Sequence, residues 1–334
     1  MDVDRTLDPS DQAPYSAVLA DRLAQRALTV DVLDRPSARP PHRPELVVGF
    51  LPHLAGAETA AGIADAAGAR LILVVQELLQ VPRSRREGAV LRSAGYVAVA
   101  SEAFRETVRG YGVPDVRIGL LPDWAHVVPI WLDRAEARRA LGWPERAFIA
   151  VHVAAGERPD VATVLAAARR TGPDALIAVA DGTRSPRLPV PPGDVPNVLV
   201  IGALPADRRA LPLVAADALV LAEPAAADRL VLPPELASCL AAARPVIAAA
   251  RPGGVVQAEL ARAEGAAVVV PAGAADRLAQ ALLDLRADPA RRVAMGLAGL
   301  AHAQGQLSLS GALARFDDIV DATLAAPAAA LPVG

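Results

Sequence analysis

The feature that most constrains this chain is a regular alternation of short apolar runs with alanine-rich segments of helical spacing, sustained from Leu46 to Val270. Leu46 to Leu51, Leu71 to Val75, Tyr96 to Ala100 and Val116 to Leu121 are largely apolar and too short for helices. Strands apolar on both faces belong in a parallel sheet covered on both sides, and parallel neighbours need a crossover, usually a helix, between them. Ala57 to Ala66 and the helix that Ser101 caps provide such crossovers, and a helix at Ala17 to Ala27 is expected to feed a strand at Leu28 to Leu33. The same grammar restarts at Ala147 to Val153. It continues through Ala175 to Ala180, Val198 to Ile201, Ala218 to Ala222, Val246 to Ala249 and Ala266 to Val270. Two successive doubly wound sheets follow, in keeping with 334 residues, more than one core usually holds. The expected division is 1–140, 141–305 and a helical tail, 306–334, with Leu307 to Leu324 as a last long helix.

Composition removes several classes of function. A net charge of −3 and 3% aromatic residues give neither a basic surface nor stacking platforms for nucleic acid. The single Cys239 excludes an intramolecular disulfide, and five scattered histidines without paired spacing give no metal motif, so no metal is expected. The acidic start, Met-Asp-Val-Asp-Arg, differs from a signal peptide, and no apolar run is long enough to span a bilayer. The expectation is a cytoplasmic protein, at most peripheral at the inner face of the membrane. A dinucleotide-binding oxidoreductase is disfavoured, because no G-x-G-x-x-G turn follows a first strand.

One segment carries a resemblance. Leu232-Pro-Pro-Glu-Leu-Ala-Ser-Cys-Leu-Ala-Ala-Ala-Arg-Pro-Val-Ile-Ala248 resembles the donor-site helix and following strand of family 4 glycosyltransferases. The closest pattern is that of the colanic-acid and O-antigen type of bacterial exopolysaccharide sugar transferases. Other landmarks keep the family's order: Leu46 to Gly56, Val75-Gln-Glu-Leu78, Ser93 to Arg105, Leu121-Pro-Asp-Trp124, Pro252-Gly-Gly254, Val270-Pro-Ala-Gly273 and Ala287-Asp-Pro289. The resemblance implies the GT-B fold, with two facing Rossmann-like parallel-sheet domains and a C-terminal helix returning to the N-terminal domain. It implies a retaining transfer of a sugar from a nucleoside-diphosphate donor to a cell-envelope or exopolysaccharide acceptor, glycan or lipid-linked, with no cofactor and no metal. The alternative is a catalytically inactive homologue that serves an active transferase as partner or regulatory subunit.

The site residues follow from position. Open α/β sheets bind ligands at the carboxyl ends of their strands, which nominates His53 and Glu77 as catalytic residues. For the donor, the resemblance nominates Gly156 and Arg158 after one strand, Glu235 and Ser238 on the signature helix, and Arg251, Gly253, Gly254 and Glu259 around the next. Departures concentrate on this helix. Glu235 stands where the family has a phosphate-binding lysine, Ser238 where it often has a glutamate, and Ala243 where it has glycine. Leu230 takes the place of the first glutamate of the family's pair. Pro233 and Pro234 suit the first turn of that helix.

Overall fold

A computed structural model describes the chain except residues 1–14, 27, 32–39, 52–53, 80–83, 126–132, 154–159, 174, 181–194, 202–203, 206–207, 209, 226–228 and 327–334. The first half runs α1 (Tyr15–Gln25), β1 (Leu46–Leu51), α2 (Leu54–Ala67), β2 (Arg70–Val75), β3 (Glu77–Leu79), α3 (Arg85–Ser93), β4 (Tyr96–Val99), α4 (Glu102–Gly110), β5 (Ile118–Leu120). The second runs α5 (Arg134–Leu141), β6 (Phe148–His152), α6 (Val161–Thr171), β7 (Ala175–Ala180), β8 (Val198–Ile201), α7 (Leu211–Ala215), β9 (Ala218–Ala222), β10 (Arg229–Val231), α8 (Glu235–Ala241). It closes with β11 (Val246–Ala250), α9 (Val255–Arg262), β12 (Ala267–Pro271), α10 (Ala275–Ala287), α11 (Pro289–Gln306) and α12 (Leu309–Ala325). Local chemistry sets many of these ends. Ser101 caps α4 by accepting from the Phe104 amide at 3.3 Å, and Asp288 caps α11 by accepting from Arg291 at 2.9 Å, with Pro289 in its first turn.

The described residues form two compact units. One takes those of Gln12–Asp123, Asp228–Leu232 and Leu309–Gly334, the other those of Trp124–Ala227 and Pro233–Ser308. In the first, a parallel sheet of order β1-β2-β4-β5 is covered in part by α12, the helix expected to return from the end of the chain. Arg22 of α1 holds Asp317 of α12 through two nitrogens, at 3.0 and 2.5 Å, and Arg26 pairs with Asp321. The same unit contains an antiparallel pair, β3 with β10, which sequence patterning did not anticipate.

The second unit is a parallel sheet of order β12-β11-β9-β6-β7-β8, with β6, β9 and β11 wholly buried. Its apolar core lies between this sheet and the helices α6 and α10. Arg138 of α5, 1% exposed, donates to the carbonyls of Ala215, Glu145 and Ala147 at 2.9, 2.7 and 2.9 Å and to Asp217 at 2.6 Å. Asp217 also accepts from the Ile149 amide at 2.9 Å and pairs with Arg134, so α5 is fastened to the sheet by a satisfied buried ion pair. On the other side, α11 crosses the end of α8 so closely that a Cβ at Gly296 would lie 2.3 Å from the Ala243 carbonyl oxygen. Ala243 itself has φ of 53°, the left-handed region that favours glycine.

Two sequence expectations change. Leu28–Asp31, expected to begin a strand, is irregular, since no described strand pairs with it. Pro233 and Pro234 precede α8 instead of filling its first turn; Pro234 is the cap residue, and Glu235 is the first helical position.

Candidate functional site

In the second unit the chain lays down β6, β7 and β8 in one direction, then returns to place β9, β11 and β12 on the other side of β6. The reversal between β6 and β9 is the topological switch point, and in open α/β sheets the crevice outside the carboxyl ends of such strands is where ligands bind. Three residues mark it here. They are His152 at the end of β6, Glu223 just after β9 and Arg251 just after β11.

His152 is fully buried, and among the described residues neither ring nitrogen has a hydrogen-bond partner. Burial pushes its imidazole down to about 4, only partly opposed by the charge of Asp160, so the ring is neutral at physiological pH. It shares a sheet face with Phe148 and Ala150 by the period of two, and its register partners Val179 and Val220 belong to the same core. Asp160 caps α6, accepting from the Thr163 amide at 3.0 Å and hydroxyl at 2.5 Å, so an acid already occupies that helix start.

Glu223 is half-buried, and its carboxylate accepts from the Arg251 amide at 3.0 Å while its own amide donates to Ala249 at 2.9 Å. Burial raises its pKa above the ordinary carboxylate value, and the Arg251 amide and guanidinium pull it partly back. Beyond Arg251 the chain turns through Gly253, at φ of 70°, into α9, with Gly254 as cap residue. A side chain at Gly253 would meet nothing within 4 Å, so this turn is open. The Gly253 amide donates to Gln257 at 2.6 Å.

Of the residues nominated from sequence, Arg251, Gly253 and Gly254 lie together on this turn. Glu235 and Ser238 lie on α8, Ser238 buried and Glu235 half-exposed; the charge of Glu235 adds to burial in raising the Cys239 thiol pKa. Glu259, on α9, is 5% exposed, with its carboxylate 3.4 Å from His302 of α11 and 3.7 Å from Arg262. Glu77 opens β3 in the other unit, opposite Val231 of β10. His53, Gly156 and Arg158 lie outside the described residues. Sequence reasoning missed His152 and Glu223, although each had a signal: a histidine inside an otherwise apolar strand, and an acid directly after one. Among the described residues no cluster of His, Cys, Asp or Glu could hold a metal ion, and no helix is long and apolar enough to cross a membrane.

The sequence matches no protein-family model and no curated protein. Solved structures do match. Sucrose-phosphate synthase from Thermosynechococcus elongatus is similar at a TM-score of 0.67 and 19% identity, over 85% of this chain and 74% of that one. The fold is GT-B. HepE of Anabaena, solved in complex with UDP-glucose, matches this GT-B chain at a TM-score of 0.63 and 14% identity, over 83% of this chain and 78% of that one. A glycosyltransferase from Rickettsia africae matches at 0.66 and 12% identity, over 95% and 84%. These similarities in GT-B architecture accord with the two Rossmann-like sheets described above.

Proposed function

We propose that the chain is a glycosyltransferase that takes a nucleoside-diphosphate sugar at the switch-point crevice of its second unit. It transfers the sugar, with retention, to a cell-envelope or exopolysaccharide acceptor. The observation that carries this reading is the turn after β11. There Glu223 fixes the Arg251 amide, and the exposed Gly253 leaves the turn into α9 open to solvent, in a GT-B fold whose neighbour HepE is solved with UDP-glucose and with UDP. Arg251 and the start of α9 are the groups of this turn suited to a diphosphate, so no metal is required to offset its charge. His152, neutral and buried at the end of β6, two strands from β11, brings no charge that competes with this binding.

A second reading rests on a different observation. Glu235 begins α8 where the resemblance implies lysine, and Asp160 caps α6. Two like charges at about 4 Å and an effective dielectric near 20 repel by roughly 4 kcal/mol, close to a thousandfold in affinity. Such repulsion suits a GT-B homologue without turnover that accompanies an active transferase. Titration calorimetry of the purified chain with UDP-, GDP- and ADP-sugars, in EDTA, separates the two. The transferase reading expects micromolar binding to one nucleotide class, weakened about tenfold by Arg251→Ala, and slow release of free nucleoside diphosphate. No binding to any of the panel sinks it in favour of the partner reading.

A further inference from the structure

A second concave feature of the same unit lies at the amino ends of its central strands, and its chemistry is unlike that of the crevice. A cleft of about 710 Å³ opens beside Phe148, the first residue of β6, and five arginines line it: Arg134, Arg138, Arg146, Arg286 and Arg292. Phe148 and His152 are four residues apart on one strand, which is about 13 Å, so the cleft is distinct from the switch point. Its volume falls within the range of small-ligand sites, but its walls are dominated by guanidinium groups.

Among the described residues lining the cleft, arginines outnumber carboxylates. Its two carboxylates, Asp217 and Glu145, each have cations: Asp217 is held by Arg138 and Arg134, and Glu145 lies 3.7 Å from Arg139. Arg138 is absorbed by the buried network and is unavailable. Arg292 is positioned differently. One of its terminal nitrogens donates to the carbonyls of Leu285 and Arg286 at 2.5 and 2.9 Å, and its guanidinium stacks 5.6 Å from the centre of the Phe148 ring. The ring and the two carbonyls fix its plane, and no carboxylate among the described residues pairs with it. Arg146 is exposed beside it, likewise without a carboxylate partner among the described residues. A guanidinium held in plane, with a second, exposed cation lining the same cleft, fits a phosphate group better than it fits any neutral ligand.

We infer that this arginine-lined cleft is an anion site for a phosphate-bearing small molecule, separate from the switch-point crevice and independent of the transferase reading. Titration calorimetry of the full chain with sodium pyrophosphate at low ionic strength tests it, using Arg146→Glu as the main variant because that side chain is exposed. Arg292→Ala serves as the second variant, and Arg251→Ala serves as the control for the crevice. The expected result is saturable binding in the wild type that weakens about tenfold or more in Arg146→Glu and in Arg292→Ala, whereas Arg251→Ala loses at most the crevice's share of the heat and keeps one saturable site. The absence of saturable binding in the wild type overturns the inference. So does wild-type affinity in a folded Arg146→Glu chain, or loss of all binding in Arg251→Ala, which assigns the pyrophosphate to the crevice alone.

Discussion

Replacing His152 by leucine exchanges a buried ring with two unpartnered nitrogens for an apolar side chain of similar size. A buried polar group left without a partner costs about 1–3 kcal/mol, so His152→Leu at pH 7.5 should be more stable than wild type by about that amount. A second effect adds to this as the pH falls. Burial holds the imidazole at about 4 in the folded chain, whereas an unfolded chain titrates it near about 6.5. Between those values the unfolded state binds a proton that the folded state does not. Wild-type stability therefore drops from about pH 6.5 downward, and this loss is complete near pH 4, amounting in all to on the order of 3 kcal/mol. Leucine abolishes it. Urea unfolding followed by circular dichroism at pH 7.5 and pH 5 measures both effects, and the lead of the variant should widen by about 2 kcal/mol between the two conditions. A variant less stable than wild type at pH 7.5, with an unchanged pH slope, refutes the reasoning and means that the ring nitrogens are satisfied. If the crevice binds nucleotide-sugar through this ring, the same variant gains stability and loses affinity.

Other expectations follow from the packing. Ala243→Gly relieves a left-handed backbone worth about 1–2 kcal/mol, less about 0.4–1 kcal/mol for the freer unfolded glycine, so a gain of roughly 0.5–1 kcal/mol should appear as a higher urea midpoint. Arg138→Met leaves Asp217 buried with one cation fewer and should cost about 3–5 kcal/mol by the same assay. Hydrogen bonding from Arg22, more than any other contact, holds Asp317 below the ordinary carboxylate range. The clasp between α1 and α12 is therefore intact above that range and is lost as the pH falls through the lowered value. The protection of the α1 amides, taken relative to the intrinsic exchange rate at each pH, should fall in acid for wild type but be low already at neutral pH in Asp317→Ala.

The sequence made the parallel strands legible because both faces of each are apolar, and it made the helix starts at Ser101 and Asp288 legible because a cap is a local device. The pairing of β3 with β10 was not legible. Each strand is three residues long, and Leu78 meets Leu230 across about half the chain, so no local period announces them. His152 and Glu223 escaped for a related reason: one is a polar residue inside a buried strand and the other follows one, and only the strand order shows that both flank the switch point. Glu259 is nominated for the donor by its place on the helix after Pro252-Gly-Gly254, yet His302 of α11, far along the chain, lies against its carboxylate, and the residue is buried. The turn at Arg251, Gly253 and Gly254 was marked by the family resemblance, and glycines before a helix add a local signal for a turn there.

The return of α12 to the first sheet bears on the order in which the chain can fold during synthesis. The second unit has all of its residues once Ser308 has been made, whereas the first still lacks the helix that packs on β2 and β4 and the Asp317 that holds Arg22. Domains usually mature from the N-terminus as the ribosome proceeds. Here the half translated first must wait, partly uncovered, until the last helix emerges. A stop codon shortly after Ser308 would therefore damage the beginning of the protein more than its end.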